Sequence, residues 1–169
     1  MIPLDSILQL HHSMIEQWCQ TTRCQQCGNT WNTIKALTKV SEKVIALFEA
    51  ASHAYTTKEY LMHKSLGQSR GQLFSPTLET ESSSVTVARV PMSLGDFVLQ
   101  DDEANILAVQ VISESLVTHY GLLEDLRDIQ SSQPRDHAFV REGTSIQYNI
   151  DRLLRMLGRI RSERDLLEG

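Results

Sequence analysis

With 169 residues the chain has the length of one ordinary domain, enough to bury roughly 70% of its unfolded surface. A hydrophobic fraction of 41% beside 22% charged residues is that of a globular protein, not of a disordered or fibrous one. A net charge of −5 excludes a general electrostatic attraction for nucleic acid or anionic lipid.

The start, MIPLDSILQLHH, lacks the basic stretch and small-residue cleavage site of a secretory leader, so an intracellular setting is expected. Asp5 or Ser6 can cap a first helix, whose apolar face is Leu4, Ile7, Leu8, Met14, Ile15 and Trp18. The polar run QTTRCQQCGNT stops it and carries Cys24 and Cys27, with Cys19 just before. Three cysteines leave at least one unpaired in the chain, which argues against a disulfide scaffold. Asn29 or Thr30 can cap a second, longer helix with the stripe Trp31, Ile34, Leu37, Val40, Val44, Leu47, Phe48, Ala51 and Tyr55.

Beyond Tyr55 the pattern changes. TTKEYLMHK continues the second helix or forms a short one, and residues 65–86 are rich in Ser, Gly, Gln and Thr. That composition buries too little apolar area to offset ordering entropy, so a flexible, partly disordered loop is expected there. VTVARVPMSLGDFVLQ reads as an extended segment lying along the helices, outside any sheet, because no second strand suggests itself. Asp101 or Asp102 opens a third helix with the stripe Ile106, Val109, Ile112, Leu116, Tyr120, Leu123, Leu126 and Ile129. Pro134 breaks it. Thr144 or Ser145 opens the last helix, striped by Ile146, Ile150, Leu153, Leu154, Leu157 and Ile160. No run is read as reaching the roughly 20 apolar residues of a membrane span. The expectation is one all-α domain over residues 1–169, a bundle of about four main helices with a long insertion.

Chemistry is sparse. Cys24 and Cys27 have a zinc-compatible CxxC spacing, with Cys19 and His12 as further ligand candidates, but no second CxxC or HxxxH follows. No strand precedes CxxC as a thioredoxin-like site requires, so packing at a helix corner is the preferred reading. Glu49 with His53, and Glu59 with His63, share helix faces at i, i+4 and read as surface ion pairs. There is no GxSxG, Walker loop, GxGxxG or HExxH, so no enzyme and no cofactor is expected. Arg152, Arg155 and Arg159 fall on one stripe of the last helix, either a solvated face or a docking site for an acidic partner.

Two segments carry a resemblance. Ile7 to Tyr55, with its Cys24–Cys27 corner and KVIALFEAASHAY run, resembles the start of the C-terminal regulatory domain of fungal zinc-cluster transcription factors of the aflatoxin regulatory protein type. MSLGDFVLQDDEANILAVQVISESLVTHYGLLEDL resembles that domain's later motif, matching at Leu94, Gly95, Leu99, Asp101 and Asp102. Together they cover about half the chain, in the family's order. The six-cysteine cluster and basic linker through which such factors bind DNA are not in this sequence. The resemblance implies a nuclear role in controlling secondary-metabolite genes through protein contacts, with DNA met only through a region outside this chain.

The reading is therefore a regulatory interaction domain with a protein partner, self-pairing included, and no membrane partner. Trp18, Trp31, Phe48 and Tyr55 at the stripe edges, with the three arginines, are its candidate contact residues, most of the four aromatics being expected in the core instead. One alternative is a metabolite sensor that holds a small-molecule effector against Tyr120, His119 or His53. The other is a zinc module built on Cys19, Cys24 and Cys27.

Overall fold

Apolar residues at every third or fourth position build four helices among the residues that the computed structural model describes, which are 1–23, 31–56, 86–132 and 137–168. They are α1 (Leu4–Arg23), α2 (Trp31–Thr56), α3 (Asp101–Ser131) and α4 (His137–Glu168). The all-α bundle expected from periodicity is the observed architecture. The expected loop and the Cys24–Cys27 corner fall almost wholly on residues outside the described ones.

Local chemistry explains the boundaries. α3 begins after Gln100, whose backbone N–H donates to the Glu103 carboxylate at 2.9 Å, while Asp101, Asp102 and Glu103 crowd acidic charge onto the positive helix end. α1 starts at Leu4, directly after Pro3, a little before the expected cap. α4 starts at His137, a full turn and more before Thr144 or Ser145. Gly143, just before the expected start, lies inside the helix, where glycine costs stability without ending the turn.

The extended segment does pair, correcting the expectation. Val87–Ala88 (β2) forms a short parallel ladder with Ile2–Pro3 (β1), tying the chain's start to the segment before α3. Ser93–Leu94 (β3) and Phe97–Val98 (β4) make a two-residue hairpin. Gly95 turns it at φ +60, a conformation that strains residues with a Cβ.

Three long helices, α2, α3 and α4, pack most extensively on one another, and α1 lies against α2 and α3. The core is their shared interior: Ile34, Ile45 and Phe48 of α2, Ile112, Leu116, Leu123 and Leu126 of α3, Ile146, Leu153 and Met156 of α4. Ile7, Met14 and Trp18 of α1 close it. Not every residue of the predicted stripes is inside. Val40, Ile106 and Leu154 are exposed, Ile106 at 69%, because each stripe is wider than the seam its helix buries.

α3 is long and apolar enough to cross a membrane, with a mean hydropathy of 1.4 over its best window, which corrects the reading that no such run exists. Its place in the fold accounts for part of that composition, a third of that window being buried. It is flanked by the three other helices, and its Ile112–Leu116–Leu123–Leu126 row is fully buried among them.

Candidate functional site

Two histidines stand in otherwise apolar helix rows. His11 follows Ile7 and precedes Met14 and Trp18 on the inward face of α1; His119 lies between Leu116 and Leu123 on that of α3. Their rings sit 5.3 Å apart between centroids, and His11 also meets the Phe48 ring edge-on at 5.3 Å and 76°. His119 is fully buried and His11 nearly so. His11 Nε2 and both ring nitrogens of His119 have no hydrogen-bond partner among the described residues.

Burial, and then the neighbouring His12, lowers the His11 pKa to about 4. Burial, and then His11, lowers that of His119 to about 3. Both rings are accordingly neutral at physiological pH. Two imidazoles do not complete a metal site, and the described residues bring no three His, Cys, Asp or Glu side chains together as one.

A second polar seam joins α2 to α4. Asn149 Nδ2 donates to the Thr38 carbonyl at 3.3 Å, and the Thr38 hydroxyl donates to the Ile34 carbonyl at 2.8 Å. Asn149 Oδ1 and Ser41 Oγ remain without a partner among the described residues. Such groups narrow the packings a core accepts, because any other register leaves more of them unpaired.

The arginine stripe has a structural use. Glu49 on α2 accepts from Arg152 at 2.5 Å and from Arg159 at 3.2 Å, strapping α4 to α2 along their outer edge. Burial alone would raise the Glu49 carboxyl, but the hydrogen bond and charge of Arg152, then those of Arg159, hold it below its ordinary value. Two of the three candidate docking arginines are thus engaged within the bundle. Arg155 is exposed and makes no ion pair among the described residues. Glu49 pairs with two arginines of another helix, a cross-helix role that its i, i+4 spacing to His53 did not reveal.

Three of the aromatic contact candidates also change role. Trp18, Phe48 and Tyr55 are core residues, at most 5% exposed, so their side chains are not available to a partner. Trp18 donates its indole N–H to Asp125 at 3.2 Å, joining α1 to α3. Arg89 stacks on the Tyr55 ring at 5.2 Å. Trp31 is half-buried at the first turn of α2. Cys19 and His12 are both exposed on α1, and His12 lies 3.5 Å from Glu16. Cys24 and Cys27 lie outside the described residues.

Two grooves among the described residues bear on these candidates. One, of about 240 Å³, runs between α1, α3 and the β2–β3 connection, lined by Leu4, Leu8, Tyr55, Met92, Leu107 and Val111, with Asp5 at its edge. The other, of about 370 Å³, lies between α3 and α4 and is lined by Val109, Gln110, Ser113 and Val117 on one wall and Leu154, Leu157, Gly158, Ile160 and Arg161 on the other. His53, His119 and Tyr120, the polar contacts expected of a metabolite pocket, line neither. They are not brought together: His53 is exposed, His119 is in the core, and the Tyr120 hydroxyl donates to Glu124 at 2.7 Å.

The α3–α4 groove was missed from the sequence because Val109, Leu154, Leu157 and Ile160 read as ordinary stripe and Val117 lies outside it. The available signal was stripe width: Ile106 and Val117 lie to one side of the Ile112–Leu116–Leu123 row. The chain matches no protein-family model, no curated protein and no solved structure.

Proposed function

We propose that the chain is a regulatory, protein-interaction domain of a fungal transcription regulator of secondary-metabolite genes. It works in the nucleus by binding protein and meets DNA only through residues outside this chain. The observation that carries the interaction half of this reading is the α3–α4 groove, which no described element covers and where Val117 is 60% and Leu154 47% exposed. The regulator half rests on the resemblance of the segments that form α1–α2 and the hairpin–α3 unit.

Tethering the chain to an unrelated DNA-binding module upstream of a reporter, in a filamentous fungus, tests the reading. The expected result is a change in reporter transcription that disappears when α3 is disrupted by a buried Leu123→Asp change. Transcription equal to that of the DNA-binding module alone would reject the regulator reading.

A further inference from the structure

His11 of α1 and His119 of α3 meet across a buried seam, their ring centroids 5.3 Å apart, with Phe48 of α2 edge-on to His11. Leucine would fill either place in its apolar row and leave no nitrogen unpaired. His11 Nε2 and both ring nitrogens of His119 have no hydrogen-bond partner among the described residues. An imidazolium carries a charge and two N–H donors. Neither ring, where it stands, offers a proton the water or the acceptor that would compensate for its burial.

The charged groups of the surrounding helices are turned elsewhere. Glu49, beside Phe48 on α2, is held by Arg152 and Arg159 of α4, and Arg161 of α4 lines the α3–α4 groove. On α3, Asp125 accepts the Trp18 indole N–H and Glu124 is engaged by Tyr120 and Arg127. On α1, His12 opposes a positive charge on His11, and His11 in turn opposes one on His119. Acid must therefore expose these rings before it charges them. α1 is the helix that gives way. It buries five side chains among the described residues, against nine in α2 and seven in α3. Beyond that packing it is fixed by the Trp18–Asp125 hydrogen bond and, through Ile2–Pro3, by a two-residue ladder. Its departure leaves in place the more extensive contacts of α2, α3 and α4 with one another.

We propose that the His11–His119 contact is an acid-sensitive latch, through which α1 leaves the α2–α3 face in mildly acidic solution while α2, α3 and α4 stay packed. Lifting α1 hydrates His11 and uncovers the side of His119 that His11 covers. A freed ring takes up its proton near the ordinary value of about 6.5, whereas the closed form does so only at about 4 and about 3. The open form binds more protons in that window, so it is favoured as pH falls. One proton makes the opening equilibrium grow about tenfold per pH unit, and two make it grow about a hundredfold. The latch is independent of the interaction reading.

Hydrogen exchange on the whole chain, stepped from about pH 7 to about pH 5 and corrected for intrinsic rates, tests this. Amides of α1 around Ile7, His11 and Trp18 should lose protection by at least about tenfold per unit, while those of α4 around Ile150 and Leu153 keep most of theirs. In a Trp31→Phe chain, the fluorescence of Trp18, which is 3% exposed in the closed form, should shift to the red over the same range. Joining His11→Leu to His119→Leu keeps both rows apolar and should make α1 exchange independent of pH. Loss of protection in all four helices together overturns the proposal. So does an α1 whose protection in the wild-type chain does not change with pH, or a slope that survives the double substitution.

Discussion

The two sides of α3 both carry apolar residues and meet opposite fates. Toward α1 and α2, Ile112, Leu116 and His119 are fully buried, and Asp125 receives the Trp18 indole. Toward the α3–α4 groove, Val117 stands in solvent with Leu154 on the facing wall, and Ile106 is exposed elsewhere on the helix. The difference is the fourth helix: α1 fills one groove, and no described element fills the other. Burial of a stripe residue is thus a property of what lies across from it, which its own helix does not encode.

The sharpest way to break this contrast is at the filled groove. Phe48→Ala, at the junction of α1 and α2, should cost about 3–5 kcal/mol through lost transfer energy and a cavity ringed by His11 and its neighbours. Chemical denaturation measures it, and a cost below about 1 kcal/mol would mean that α1 is not seated as described.

The histidine pair should make stability depend on pH on the same side of α3. Both rings are held neutral by burial, so their folded pKa values of about 4 and about 3 lie under the unfolded value near 6.5. In that window the unfolded chain binds more protons than the folded one, so stability rises with pH. The contribution is whole above the unfolded value and is lost as pH falls from there toward 3, by an amount on the order of several kcal/mol. His119→Leu should flatten this fall relative to wild type in denaturation series at stepped pH. An unchanged slope would show that the ring is hydrated and not buried.

Much of this was legible in the amino-acid order, and the losses are specific. The long stripes and the acidic start at Asp101–Glu103 located α2 and α3 within a residue or two, because helix signals are local. The strand partner of Val87–Ala88 was not found, since it lies at Ile2–Pro3 and a two-residue ladder leaves no alternation to detect. Trp18, Phe48 and Tyr55 were offered as contact residues from their place at stripe edges, with core as the alternative, and their size makes them first choice for a core. His11 and His119 had a readable signal, each completing an apolar row at three- or four-residue spacing. It pointed to burial and could not pair one ring with the other across helices.

A smaller effect is expected at the α2–α4 edge. Glu49→Gln removes the charge that holds Arg152 and Arg159, both partly exposed, and should cost about 1 kcal/mol, less at high salt. Its carboxyl titrates below the ordinary range, so the contribution is present above the unfolded carboxylate pKa and lost as pH falls through the folded one. Salt-dependent melting of wild type and variant measures it, and equal stability at low salt would remove the strap from the account.

The smallest effect belongs to the exposed side of α3. Ile106→Ala should change stability by less than about 0.5 kcal/mol, whereas Ile112→Ala should cost about 2–5 kcal/mol. Equal costs would show that both faces of α3 are covered in the single chain and would dissolve the contrast between them.

The sequence alone determined that this chain forms long amphipathic helices, where α2 and α3 begin, and that its CxxC has no second pair to complete a zinc site. These follow from interactions within a few residues, namely capping, helical period and ligand spacing. Only the tertiary structure decided which part of each wide apolar stripe is core, that Glu49 clamps two arginines of α4, that two histidines share the α1–α3 interior, and that no described element covers the α3–α4 groove. Those depend on which helix lies across from which, set by burial of the whole chain and not by any one of its segments.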